Sequence, residues 1–446
     1  MTHDVSNGKT STFMQNVFYC FASASIILVP VISLFLRVKN ICKESLLCDL
    51  FAYSAISRAL FEGKNPFPDH FDVLFYDGVH WLGGTVPIVY PGQMLFFVIP
   101  GYLWGEMIQM LYFCVTIGIV FLLIGLTFVK ACGYQFHDLW MPGKKQLVYA
   151  LCCCCCFLSC GTKDALEIGQ IPILLSFCLY YMFWCPGRGR VSFGARTFLF
   201  AFIAVAKYSL LTVFAPLLFF KGHWKICIAA FSIFLLLSIF PVFCGNNLLE
   251  IYTDYSNAVA ITVQPGGINH FGTHPRGMCN LDFFRNPLIN LFLKALVICA
   301  VLWLFWRERK KKYLSDTLLL FALSLTLLVS YHRIYDIIFV YPLFFIRLFD
   351  FARTKQWWLF GITVLFPLFL SLPRRLLFML IPSWGGGIPG MDSLVYLTDS
   401  PPYSHLFPIM PIFTTVLAFW SLYLYLHVKD PYRFEIPLLR ENTPGE

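Results

Sequence analysis

The chain has 446 residues, of which 58% are apolar, 18% aromatic and 13% charged, with a mean hydropathy of +0.70. Soluble domains carry about 25% charged residues, so roughly half the charge needed to face water is missing. That composition excludes a cytosolic enzyme, a disordered chain and a nucleic-acid binder, and makes lipid the solvent for most of the protein. The net charge of +9 does not mark an anionic partner. The basic residues fall in short clusters between hydrophobic stretches, the distribution that the positive-inside rule produces.

Taken in chain order, 17–36 supplies the first span, running from Phe18 to Leu36 at its most apolar. No A-x-A cleavage site accompanies it, so it is expected to remain in the protein. A polar segment, 37–90, follows as a long first outer loop. Hydrophobic segments then occupy 91–103, 105–129, 147–160, 166–184, 193–206, 208–220, 224–245, 287–306, 313–330, 335–349, 357–372 and 407–427. Lys144/Lys145, Arg188/Arg190/Arg196, Lys221/Lys225, Arg307 to Lys312, Arg353/Lys355 and Lys429/Arg433 all belong on the cytoplasmic side. They reach it together if 193–206 and 208–220 form a hairpin that turns near Lys207. With both termini inside, the crossings must be even in number. Segment 91–103, interrupted by Pro100-Gly101, is then left against the outer face, and about 12 crossings remain. The reading is an all-α, polytopic integral membrane protein forming one domain over 1–446, with core helices in 91–349 and C-terminal helices and a cytoplasmic tail in 350–446.

This topology gathers the unusual polar residues on the outer side. Asp49 opens the first outer loop, ahead of a helical pattern (Leu50, Tyr53, Ile56, Leu60) punctuated by Arg58 and Lys64. A carboxylate there serves either as a general base toward a hydroxyl or as the cap of the helix that follows. The stretch Gly161 to Pro172 carries Lys163, Asp164, Glu167 and Gln170. Glu167 and Gln170, three apart, are expected on one helical face. Lys207 interrupts an apolar run, where it either meets an anionic headgroup or snorkels to the interface. His332, Arg333, Tyr335 and Asp336 crowd between two spans, and histidine beside arginine suits a phosphate.

The 17 cysteines, five of them consecutive from Cys152 to Cys156, show no paired metal spacing and read as small membrane-compatible hydrophobes. His270 and His274 make a weak zinc signal in a Gly/Pro-rich loop, and no metal is assigned. There is no P-loop, no dinucleotide fingerprint and no serine nucleophile elbow.

Together these residues resemble the GT-C membrane glycosyltransferases, most closely glycosyltransferase family 87, the polyprenyl-phosphate-mannose-type mannosyltransferases. The resemblance is carried by Asp49, the stretch from Arg58 to Phe67, Tyr90-Pro91, Gly169-Gln170, Ala206-Lys207 and His332, in the family's order. Where the family has Tyr-Pro-Pro this chain reads Tyr90-Pro91-Gly92, and where it has Gly-Gln-x-Asn the last position is Pro172.

The resemblance implies a metal-independent, inverting displacement at the outer face of the cytoplasmic membrane, with interfacial helices in the first outer loop. Asp49 would be the general base, while Lys207, His332 and Arg333 would receive the donor phosphate. Arg58, Tyr90, Asp164, Glu167, Gln170 and Asp336 would contact sugar or acceptor. No cofactor is implied. The partners are membrane lipids, a polyprenyl-phosphate-linked hexose (mannose in most of the family) and a glycan or glycolipid acceptor. A lipid-sugar flippase would instead show symmetrical halves and a through-pathway. A glycan ligase would favour an arginine-rich outer loop, whereas 246–286 holds only Arg276 and Arg285.

Overall fold

The structure, a computed structural model, describes residues 5–40, 48–67, 90–102, 106–183, 193–263, 287–310, 313–330, 334–372, 409–428 and 433–435. Over these residues it is helical apart from one short antiparallel pairing of β1 (Tyr313–Ser315) with β2 (Arg433–Glu435). The helices are α1 (Val5–Asn40), α2 (Cys48–Phe61), α3 (Met94–Tyr102), α4 (Glu106–Ala131), α5 (Lys144–Leu158), α6 (Cys160–Ile168), α7 (Pro172–Phe183) and α8 (Phe193–Ala206). They continue with α9 (Leu211–Phe220), α10 (Trp224–Phe243), α11 (Leu248–Val263), α12 (Pro287–Glu308), α13 (Asp316–Val329), α14 (Tyr341–Arg353), α15 (Trp357–Ser371) and α16 (Ile409–His427). Short 3-10 turns at Pro91–Gln93 and Ile334–Val340 matter most for the site.

Among the described residues, Thr10–Leu36, Met110–Ala131, Trp224–Phe243 and Leu288–Glu308 are long and apolar enough to cross a bilayer. Two bent pairs raise the number to six if each is a single broken span: Lys144–Leu158 with Cys160–Glu167, bent by 61°, and Phe193–Ala206 with Tyr208–Phe220, bent by 115°. Pro172–Met182, Asp316–Val329, Trp357–Ser371 and Ile412–His427 are apolar but shorter. At about 1.5 Å per residue they fall below the ~30 Å of a hydrocarbon core. By length and composition, then, this is a membrane protein, with four to six candidate spans among the described residues. The outward faces agree with lipid as solvent. Phe21 on α1 and Phe243 on α10 are 75% and 79% exposed, which water would penalise.

The interior divides into two cores. The larger is centred on α13, every residue of which is buried. Such a helix is apolar all round because it has no solvent face. Its start is fixed by Ser315, whose side chain accepts the Leu318 amide at 3.0 Å. Asp316 in the same turn is paired with Arg347 of α14, both fully buried. The smaller core joins Ile56, Leu60 and Phe67 to Met94 and to Ile251 and Ala258. Helix α2 belongs to both, with Leu50 in the large core and Ile56 and Leu60 in the small one.

Removing Arg347 strands the buried Asp316 carboxylate in an apolar interior, whereas Asp350 keeps Arg353. Arg347→Met should therefore cost about 3–5 kcal/mol. Arg353, which is half-exposed and pairs with Asp350 at 2.9 Å, should contribute no more than about 1 kcal/mol when changed to Ala. Thermal midpoints of the two variants in detergent check this contrast.

Candidate active site

The first cluster forms where α6 stops. Gly169 takes the left-handed conformation at φ 79°, closing the helix, and Pro172 opens α7. Gln170 is caught between them. Its amide nitrogen donates to the Ala165 carbonyl at 2.9 Å. Its own carbonyl accepts the Tyr112 hydroxyl at 2.6 Å, and the same hydroxyl lies 3.0 Å from the Ala165 oxygen. Tyr112 thus gives the Gln170 carbonyl the donor that the broken helix does not supply.

So held, the buried Gln170 side chain reaches out of the break. Its Nε2 donates to the Asp49 carboxylate and, at 3.0 Å, to the Tyr53 hydroxyl. Asp49 sits in the first turn of α2, where the helix dipole also favours a carboxylate. The expectation that Glu167 and Gln170 share a helical face is corrected here. The αL turn at Gly169 ends the helix between them, so Gln170 turns to Asp49 while Glu167 stays on α6. The stretch 161–165, which separates the hydrophobic segments 147–160 and 166–184, is helix, and the break precedes it at Ser159, whose hydroxyl accepts the Thr162 amide at 3.1 Å. Asp164 is buried on α6 and Glu167 half-buried.

The second cluster forms at the break between α8 and α9. Lys207 leaves the helix at φ −154°, ψ 79°, with neither Gly nor Pro beside it. The break is stabilised from outside: Gln93 donates its side-chain amide to the carbonyls of Val205 and Ala206 at 3.0 and 2.6 Å. Those carbonyls are among the last of α8 and have lost their helical donors.

The freed Lys207 Nζ lies 2.6 and 2.5 Å from the two oxygens of Asp336 and 5.3 Å from the centre of the Tyr335 ring. Asp336 is fully buried, while 16% of the Lys207 side chain is exposed. Asp336, expected among the sugar contacts, is thus the counter-ion of Lys207. Ser330 Oγ donates to the Ser209 carbonyl at 3.1 Å, tying the end of α13 to this turn. His332 and Arg333 lie outside the described residues.

Helix α6 links the two clusters. A Cβ on Gly161 would stand 2.5 Å from the Ile334 carbonyl oxygen, so α6 touches the Ile334–Val340 turn backbone to backbone. Its far end delivers Gln170, roughly 13 Å along the axis. Arg58, by contrast, lies nine residues beyond Asp49 on α2, also about 13 Å away. Its Nε donates to Glu62 at 3.0 Å, and its guanidinium sits 4.8 Å from the Tyr102 ring centre.

Tyr90, next to the Pro91–Gln93 turn, enters an aromatic wall. It stacks on Phe234 at 5.5 Å and meets Tyr252, Tyr255 and Tyr208 at 5.9, 5.8 and 6.1 Å. Its hydroxyl lies 2.8 Å from Ser238 Oγ. A Cβ at position 92 would come 2.8 Å from the Tyr90 ring, so the glycine that replaces the family's proline lets the ring fold back over its own turn. Burial, reinforced by neighbouring phenols, raises the Tyr252 and Tyr255 pKa values above the ordinary tyrosine range. Both therefore remain hydroxyl donors.

Sequence reasoning missed Gln93, Tyr112 and the polar role of Tyr53. Each has a partner distant in the chain, and only the unusual polarity of Gln93 beside the Tyr-Pro pair signals any of them.

Residues 89–330, just over half of the chain, match glycosyltransferase family 87. The match includes Tyr90, Gln93, Gln170 and Lys207, and leaves Asp49 and Asp336 on either side of it. No curated protein and no solved structure matches.

If Gln93 closes the end of α8, Gln93→Leu should destabilise the fold by about 1–3 kcal/mol through stranded carbonyls. Gln93→Glu, which cannot donate when ionised, should do the same above the carboxylate pKa and recover on acidification. Thermal midpoints at two pH values report the difference.

Proposed function

The chain belongs to glycosyltransferase family 87, and from that membership we propose that it transfers a hexose, mannose in the first instance, from a polyprenyl-phosphate donor to an acceptor hydroxyl at the outer face of the cytoplasmic membrane. One observation carries the reading: a carboxylate, Asp49, held by Gln170 at the start of a helix, on the same scaffold as a cation, Lys207, that its counter-ion aims.

In this proposal the acceptor hydroxyl gives its proton to Asp49 as its oxygen bonds to the anomeric carbon. The carbon–oxygen bond to the phosphate breaks on the opposite face of the sugar, and the electron pair leaves with the polyprenyl phosphate. The hydrogen bond from Gln170 fixes the direction of the Asp49 carboxylate, which a base requires before proton transfer. Negative charge grows on the leaving phosphate oxygen. Lys207 answers it, with His332 and Arg333 as further donors in the proposal, because a fixed cation in a poorly hydrated site stabilises developing charge more than water does. Asp336 holds the Lys207 ammonium in one place at the cost of part of its field. Asp164, Glu167 and Tyr90 are proposed to contact sugar or acceptor. The energy of the donor bond replaces a nucleotide, in keeping with a chain that has no nucleotide motif.

Reconstituted protein given radiolabelled polyprenyl-phosphate-mannose and candidate glycan acceptors should form labelled product. Asp49→Asn should cut turnover by about 10²–10⁴-fold with an unchanged thermal midpoint, and near-normal turnover would remove Asp49 from the base role. Lys207→Ala should raise the donor KM and leave the acceptor KM unchanged.

A further inference from the structure

Tyr208 follows Lys207 directly and is 53% exposed, although one side of its ring is packed at a tilt against a wall of other aromatics. Tyr90 lies 6.1 Å from it, with Phe234 stacked behind Tyr90 at an interplanar angle of 14°. Tyr252 and Tyr255 complete the wall from α11. The polar atoms of this wall are ordered: the Tyr252 hydroxyl donates to the Ser238 carbonyl at 2.8 Å, and the Tyr90 hydroxyl meets Ser238 Oγ at 2.8 Å. An apolar, electron-rich surface edged by hydroxyls is the complement of a pyranose, which has a C–H face and a hydroxyl rim.

We propose that the exposed Tyr208 ring is the platform for the sugar of the lipid-linked donor. Its chain position supports the assignment. Lys207 and Tyr208 leave the same helix break on consecutive residues, and in the donor the phosphate and the hexose are likewise joined by one bond. A cation for the phosphate and a ring for the sugar therefore arrive as a pair, with their spacing set by the backbone. The inference rests on the glycosyltransferase reading and deepens it, since nothing in the family match assigns Tyr208 a role. The competing use of an exposed tyrosine is to anchor the protein at the membrane–water boundary, as aromatic belts do. The two roles make different demands: an anchor needs apolar area, whereas a platform needs a flat ring.

The test compares Tyr208→Leu, Tyr208→Phe and wild type in lipid nanodiscs with polyprenyl-phosphate-mannose. Tyr208→Leu keeps the apolar area and loses the ring. It should raise the donor KM roughly tenfold with the acceptor KM and thermal midpoint unchanged. Tyr208→Phe should restore the donor KM to within about twofold, the ring being retained. A wild-type donor KM in Tyr208→Leu overturns the proposal, and so does a change confined to the acceptor KM. Tyr208→Trp supplies a readout independent of turnover, since its fluorescence should change on titration with the donor and not with polyprenyl phosphate alone. Wild-type protein that transfers no sugar from any such donor defeats the parent reading. Wild-type protein that transfers normally beside an unaffected Tyr208→Leu defeats this inference alone.

Discussion

In a bilayer no water is available to a backbone carbonyl that loses its helical donor, so every helix break there has to be satisfied by the protein itself. This chain breaks helices at Gly169–Gln170 and at Lys207, and at each break a side chain from another segment supplies the missing donors. Tyr112 serves the first and Gln93 the second. The breaks in turn release Gln170 and Lys207, whose side chains reach Asp49 and Asp336. The polar site exists because the breaks do, and the breaks persist because two half-buried donors complete them.

The same economy governs charge. Asp336 and Arg347 are fully buried, and each faces an opposite charge. Isolated charges in such surroundings would be far too costly to keep ionised. The two pairs differ in what they leave accessible. Arg347 and Asp316 are both sealed in and hold α13 to α14, so their pairing is architectural. Lys207 keeps one side open, so its pairing restrains a cation without hiding it. Only the second arrangement leaves a charge within reach of its surroundings.

The helical, lipid-facing class was legible in the sequence, because a chain so short of charge and so rich in long apolar runs cannot cover itself against water. Asp49, Gln170 and Lys207 were legible too as unusual residues, along with the turn at Lys207. Their partners were not. Gln170 looked like a companion of Glu167 because helical periodicity was extended across Gly169, and a single αL residue breaks that periodicity. The pairing of Asp336 with Lys207 was hidden because nothing local shows that a lysine more than a hundred positions earlier folds onto it. Among the described residues four helices are long enough to be spans by themselves, or six if each bent pair is one span, and the shorter apolar ones carry a less direct signal. Apolarity marks a segment as buried or lipid-facing, yet α13 is apolar because protein surrounds it on every side.

Helix α2 lies with its first turn in the large core and its last turns in the small one, where Ile56 and Leu60 meet Ile251 and Ala258. Leu50 and Leu60 are about 15 Å apart along a stiff rod, with Tyr53 packed against both cores near the fulcrum. A rod set in two bodies behaves as a lever. A small tilt of the smaller core rotates the end that carries Asp49, and a hydrogen bond tolerates only a fraction of an ångström of such travel. The alignment of the Asp49 carboxylate is therefore a property of how the two cores sit together, set at a distance from the hydrogen bond that displays it.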